Sequence, residues 1–244
     1  MADAADLSHI KGLLFDKDGT LIRYDESWGP VNREAARIAA AGGGLELEER
    51  LMNACGMDPA TGKTRPDSLF AAGTAAEIAA GFVTAGSPLA VGPLTIELDD
   101  LFVRASDFSV PVTDLGGYFG RLKARGFKLG VASSDNERSI RETARRFGFI
   151  EHLDFIAGYD SGHGCKPEPG MVLGFCKAVG LEPSQVAMVG DNNHDLHMGA
   201  AAGAGLKVAV LTGTGSPATL EAMADHVLGD ITGLETLLPQ AQTA

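Results

Sequence analysis

The chain is poor in cysteine, in aromatic residues and, above all, in positive charge. Its three cysteines, Cys55, Cys165 and Cys176, are too few and too irregularly spaced for a disulfide framework, and none forms a CxxC pair. A reducing compartment, the cytoplasm, is the expectation. His163, Cys165, His194 and His197 stand in HxC and HxxH spacings that suit no structural zinc motif. Lys and Arg number 20 against 32 Asp and Glu, a formal net charge of −12, so nucleic acid or an anionic membrane would meet repulsion over most of the surface. An anionic small ligand therefore needs cations supplied locally, by Lys, Arg or a metal ion. The longest uncharged stretch, 78–96, holds Gly81, Gly86, Pro88, Gly92 and Pro93, which would break a lipid-exposed helix. It reads as a helix end and a loop. The N-terminus has acidic residues where a secretion signal carries basic ones, and its apolar run stops at Asp16, so export is not expected.

What is present is enough for a folded enzyme core. Hydrophobic residues make up 45% of 244 residues, sufficient for one good-sized core and a modest second module. Short β-type runs at 12–15, 128–132 and 186–189 end at Asp16, at Ser133 and at Gly190-Asp191, and each is followed by helix-like sequence. Alternating strand and helix predicts an α/β fold, a Rossmann-like parallel sheet whose functional groups gather at the carboxyl ends of the strands. Helical spacing at 112–125, 137–147 and 170–179, and strand-like runs at 207–211 and 226–228, extend the pattern. The block 27–108 differs. It is rich in Ala and Gly, has no buried-strand run, and carries helix-like stretches at 33–41, 45–54 and 67–82 with turns at 42–44 and 86–93. The expected division is a core from 1–26 and 109–244 and a helical insert over 27–108.

The chemistry concentrates at the strand ends. Phe15-Asp16-Lys17-Asp18-Gly19-Thr20-Leu21 places two carboxylates two residues apart, followed by a glycine that permits a tight turn. A carboxylate is ionised at neutral pH, so Asp16 can attack phosphorus without a base, leaving Asp18 for proton transfer. Phosphate monoesters hydrolyse so slowly unaided that a lone carboxylate is insufficient, and the developing charge has to be met by a metal and positioned donors. Asp191, in Gly190-Asp191-Asn192-Asn193-His194-Asp195, can hold Mg²⁺ together with Asp16, because Mg²⁺ prefers oxygen ligands. Asp195 can orient a neighbour. Ser133 supplies a hydroxyl, and Lys166, ahead of Pro167-Glu168-Pro169, supplies the local cation the composition demands; both can bind phosphoryl oxygens. Taken singly, such features are as often turns and helix caps; their order along the chain carries the reading.

In that order the motifs FDKDGTL (15–21), VASS (131–134), the Lys of CKPEPG (165–170) and GDNNHD (190–195) resemble the haloacid dehalogenase superfamily. The match is to its phosphoglycolate phosphatase-like branch with a C1-type helical cap, and it covers 10–24 and about 112–240. The resemblance implies that Asp16 is the nucleophile of an aspartyl-phosphate intermediate and that Asp18 is the acid and later the base. It implies Mg²⁺ held by the Asp16 side chain, the Asp18 backbone carbonyl and Asp191, with Asp195 holding Lys166 or a metal-bound water. Ser133 and Lys166 would grip the phosphoryl group, and backbone amides around Asp18, Gly19 and Ser134 would cradle it. Asp18 itself favours phosphate-ester chemistry, since the dehalogenase and phosphonate-cleaving members lack that acid at the matching place.

The insert carries no motif, so its contacts are candidates only. Lys63 and Arg65 form its most basic spot and can reach a second anionic group; Arg23 and Trp28 lie where the hinge to the cap would begin. Phosphoglycolate is the first substrate expected, on family analogy alone. Two alternatives remain open at this level. One is a phosphomutase of the β-phosphoglucomutase type, with the same core carboxylates; the other is a non-catalytic phospho-acceptor module.

Overall fold

The computed structural model of the protein describes residues 6–239. Six short strands form one sheet: β1 (Gly12–Phe15), β2 (Lys128–Ala132), β3 (Phe155–Ala157), β4 (Val186–Gly190), β5 (Leu206–Val210) and β6 (His226–Leu228). All neighbouring strands run parallel, in the order β3-β2-β1-β4-β5-β6. Side chains alternate between the two faces as the strand period requires. Leu13, Phe15, Val131 and Val189 join one apolar cluster, while Leu14, Ala132 and Met188 join another on the opposite face. Both faces are covered, which explains why the strands are continuous apolar runs and not alternating ones.

Two helical layers cover the sheet. After β1 come α1 (Tyr24–Ala40), α2 (Leu45–Cys55), α3 (Leu69–Ala72), α4 (Ala75–Thr84) and α5 (Val91–Ala105), then α6 (Leu115–Ala124) before β2. Next are α7 (Glu137–Arg146), α8 (Gly170–Val179), α9 (Asn193–Ala202), α10 (Pro217–Glu221) and α11 (Leu234–Leu237). Helices α1 to α5 build a hydrophobic cluster of their own, from Tyr24 to Ala105, with Trp28, Phe70, Phe82 and Phe102 inside it. The chain passes between this cluster and the sheet twice, side by side. Arg23 N donates to Val110 O at 2.9 Å and Val112 N to Leu21 O at 3.0 Å, and Ile22 pairs with Pro111.

Several element readings change. Helix α1 begins at Tyr24, nine residues before the expected 33, because an apolar face of Tyr24, Trp28, Val31, Ala35 and Ala39 runs straight through Pro30. Burying that face outweighs the roughly 3 kcal/mol that an interior proline costs. The stretch 67–82 is two helices, broken at Gly73, with Thr74 capping α4 through a reciprocal pair with Glu77. The loop expected through 93 ends sooner. Gly92 and Pro93 lie in the first turn of α5, where the backbone N–H groups have no helical acceptor and proline removes nothing. Helix α6 starts at Leu115 and not at 112, because Asp114 caps it by accepting from Gly117 N at 3.2 Å. Strand β3, three residues long, has no counterpart among the strand-like runs of the sequence. No described helix is long and apolar enough to cross a membrane.

The strand order places the site. The chain leaves β1 for β2 and β3 on one side and returns to β4 on the other, so a crevice opens between the carboxyl ends of β1 and β4. Phe15 is in register with both Val131 and Val189, and Asp16, Ser133 and Asp191 therefore emerge at nearly one level.

Candidate active site

The loop after β1 is wound tightly around one carbonyl. Lys17 O accepts from Leu21 N at 2.9 Å and Ile22 N at 3.0 Å, and Gly19 turns the chain at φ +94°. A Cβ at Gly19 would lie 2.5 Å from the Asp191 carboxylate, so the glycine is needed for space as well as for its backbone angle. Its amide is already committed, donating to Ile22 O at 2.7 Å. This corrects the expectation that the Gly19 N–H cradles a ligand.

Beyond the turn, three buried carboxylates crowd one ammonium. Asp16, Asp191 and Asp195 each bring an oxygen within 4.8 Å of the others. Lys166 Nζ donates to Asp16 Oδ1 and, at 2.6 Å, to Asp195 Oδ1, with its side chain only 3% exposed. Burial pushes the Asp16 carboxyl up to about 6; Lys166 opposes the shift and the charge of Asp195 adds to it. Asp191 is raised for the same reason, burial first and then the charges of Asp16 and Asp195. Lys166 is held well above its ordinary value, its two carboxylate partners overcoming burial.

Local sequence fixes each member. Asp195 is the third residue of α9 and receives Asn192 N on Oδ2 at 3.1 Å, closing a capping box that locks its rotamer. Asp191 Oδ2 receives Thr214 N at 2.8 Å from the loop after β5, and Thr212 Oγ1 donates to Gly19 O at 2.6 Å. Lys166 stands in the turn that precedes α8, which begins at Gly170, directly after Pro169. The donor set is hard, anionic and self-repelling, which fits a divalent cation of the Mg²⁺ type.

A second ion-pair group holds the other aspartate. Asp18 Oδ2 pairs with Lys17 Nζ at 2.9 Å, and Lys17 also binds Asp135 Oδ2 at 2.7 Å and Ser139 Oγ at 3.3 Å. Trp28 Nε1, from α1, donates to Asp18 Oδ1 at 2.7 Å, and its ring lies under Lys17 Nζ at 5.6 Å. The Asp18 side chain is therefore engaged by Lys17 and Trp28 and is not one of the three grouped carboxylates. Burial raises Asp18 to about 6, with Lys17 opposing and Asp135 and Asp16 adding. Ser133 is 2% exposed, and its Oγ accepts from Asp135 N at 3.1 Å.

These groups line one cleft of about 570 Å³, open side included. Asp16, Asp18, Ser133, Ser134, Lys166, Asp191 and Asp195, drawn from four distant stretches of sequence, all border it. Lys63 and Arg65 do not. Both are exposed, and Arg65 is drawn to the end of α2, donating to the backbone carbonyl of Asn53 and to its Oδ1 at 3.4 Å. Residues unread in the sequence complete the site: Lys17 and Asp135 beneath Asp18, Thr214 behind Asp191, and Tyr24, Asn32 and Phe70 on the wall opposite the sheet. For the wall a signal existed, since Tyr24, Trp28 and Asn32 recur every four residues on one helix face. His194 borders the cleft with Nδ1 unpartnered, and burial holds its pKa below the ordinary value.

With this geometry in view, comparison with known proteins is specific. Residues 10–203 match the family model of haloacid dehalogenase-like hydrolases. A phosphoglycolate phosphatase of Chromobacterium violaceum is 28% identical over 202 residues, covering 81% of this chain and 83% of that one. An N-acetylmuramic acid 6-phosphate phosphatase of Pseudomonas aeruginosa is 25% identical over 195 residues, covering 80% and 79% respectively. Among solved structures, an HAD phosphatase from Thermococcus onnurineus superposes with a TM-score of 0.69 at 21% identity over 96% of this chain and 100% of that one, a likeness of fold.

Proposed function

Because the chain belongs to the haloacid dehalogenase-like hydrolases, we propose that it hydrolyses a small-molecule phosphate monoester through a phosphoaspartyl intermediate on Asp16. The observation that carries this reading is the buried group of Asp16, Asp191 and Asp195 around Lys166 at the sheet's crevice. An Asp16 oxygen forms a bond to phosphorus as the bond from phosphorus to the leaving oxygen breaks. Asp18 gives that oxygen its proton. Asp18, now ionised, takes a proton from water, whose oxygen attacks phosphorus and releases the Asp16 carboxylate and inorganic phosphate. A carboxyl raised to about 6 is suited to both duties near neutral pH, since neither protonation state is remote. Ser133, the Ser134 amide and Lys166 hold the phosphoryl oxygens.

Asp16 and Asp191, with the Asp18 carbonyl, would hold Mg²⁺, and Asp195 would keep Lys166 in place. When bound, the cation offsets the negative charge that gathers in the transition state. Helices α1 to α5, Tyr24 to Ala105, act as the cap, so that it begins three residues ahead of the block 27–108, and Trp28 ties it to Asp18. The three free thiols suit a reducing cytoplasm. Names of relatives make phosphoglycolate the reference substrate for assay.

Two measurements test this. Phosphate release from a metabolite panel is expected to fall at least about 100-fold in excess EDTA and return with Mg²⁺. Metal-independent turnover, or conversion to an isomeric phosphate without net release, would sink the reading, the second outcome pointing to a mutase. The loop after β5 gives the other. A Cβ at Gly213 would sit 1.8 Å from Asp191 Oδ2. Gly213→Ala is therefore expected to displace that carboxylate and lower kcat/KM by about 100-fold, with a matching rise in the Mg²⁺ concentration needed. Wild-type metal dependence in that variant would remove Asp191 from the cation set.

A further inference from the structure

The wall of the cleft opposite the sheet bears a buried acceptor with nothing to accept from. Asn32 is 1% exposed and borders the cleft, and its Oδ1 has no hydrogen-bond partner. The orientation of its amide is set by Tyr24. The Tyr24 hydroxyl has one proton, which it donates to Phe70 O at 2.5 Å, so toward Asn32 it can only accept, and Asn32 Nδ2 approaches it at 3.5 Å. Turning the amide over would set two acceptors against each other. Oδ1 is thus left facing a need that a ligand O–H or N–H can meet, and an unmet buried acceptor is costly.

Charge on the same cleft narrows the ligand further. Of its lining residues, Lys166 alone carries an ammonium or guanidinium, and its single charge is already matched by Asp16 and Asp195 before it meets the phosphoryl group. Asp16, Asp18, Asp135, Asp191 and Asp195 line it as well, five carboxylates against Lys166 and the neighbouring buried Lys17. One divalent cation and a phosphoryl group leave that excess unrelieved. A carboxylate on the leaving group would enter a negative, partly desolvated space with no cation to meet it, and it has no proton to offer Oδ1. His194 aside, whose charged form burial disfavours, the remaining wall is apolar and aromatic, Trp28, Phe70 and Phe102, which suits the C–H faces of a carbon chain or ring.

We propose that Asn32 selects the leaving group, and that the substrates are phosphate monoesters of neutral, hydroxyl-bearing molecules, polyols or sugars, in preference to phosphorylated carboxylic acids. This rests on the phosphatase reading above and displaces phosphoglycolate as the preferred substrate.

Matched pairs differing at one terminus provide the test. With Mg²⁺, kcat/KM is compared for 2-hydroxyethyl phosphate against 2-phosphoglycolate and for glycerol 1-phosphate against 3-phosphoglycerate; propyl phosphate serves as the analogue without a donor. Each hydroxylated member is expected to exceed both its carboxylate partner and propyl phosphate by at least about tenfold. In Asn32→Leu the ratio of glycerol 1-phosphate to propyl phosphate should collapse toward equality. Because a ratio within one preparation is independent of the fraction folded, partial misfolding does not blur it. Carboxylates hydrolysed as well as their hydroxylated partners by the wild type, or an unchanged ratio in Asn32→Leu, would overturn the inference while leaving the phosphatase reading intact. No phosphate from any of the five compounds, or from a wider panel, overturns both.

Discussion

Replacing Asp16 by Asn is expected to reduce phosphate release by at least about 10⁴-fold while the metal-free protein melts no lower than wild type. The amide keeps the shape of the side chain and loses the charge that attacks phosphorus. Stability should not suffer, because the fold does not favour the ionised form of this residue. Its carboxyl is raised to about 6 by burial and by the charge of Asp195, even with Lys166 beside it. A group whose pKa is higher folded than unfolded contributes least once it is ionised, so at pH 7 a neutral isostere gives up little. The rise in melting temperature that Mg²⁺ produces should shrink in the variant, since one ligand is gone. Turnover within tenfold of wild type would remove Asp16 as nucleophile, whatever the thermal data show.

Lys166→Met is expected to do the opposite to stability. It leaves Asp16 and Asp195 buried beside Asp191 with no counter-charge, and removing one member of a buried ion pair costs about 3–5 kcal/mol. Turnover should fall as well, by about 10³-fold, through loss of a charged donor to the phosphoryl group. The two effects separate by titration with Mg²⁺. A divalent cation can replace the missing charge among the three carboxylates, so the melting temperature of Lys166→Met should rise more with Mg²⁺ than that of wild type. Turnover should stay low at saturating metal. Denaturant midpoints equal to wild type without metal would show that the ammonium is not what holds this cluster together.

Asn32 shows why part of the site could not be read from sequence. An asparagine inside a helix is an unremarkable residue, and only the packing of α1 reveals that it is buried with an open acceptor. Thr214 is similar. Its amide reaches Asp191 from 23 residues downstream, a pairing that exists only because β4 and β5 are parallel neighbours. Arg65 shows the converse error. The basic pair in 62–67 promised an anion site, but the loop folds back so that Arg65 is drawn to Asn53.

Sequence alone determined the strand ends and their chemistry. Fully buried strands have to be apolar runs, and a carboxylate, hydroxyl or lysine directly after such a run stands out by contrast, as Asp16, Ser133 and Asp191 do. The helical character of the insert and the resemblance of four motifs followed from the same local contrasts, whereas the break at Gly73 and the fifteen-residue helix α5 did not. Tertiary structure alone decided which carboxylates face one another, which amide is free and which wall meets the leaving group. Those are properties of atoms brought together by strand order and helix packing across more than a hundred residues, as in the contact of Lys166 with Asp16, and no local pattern encodes them.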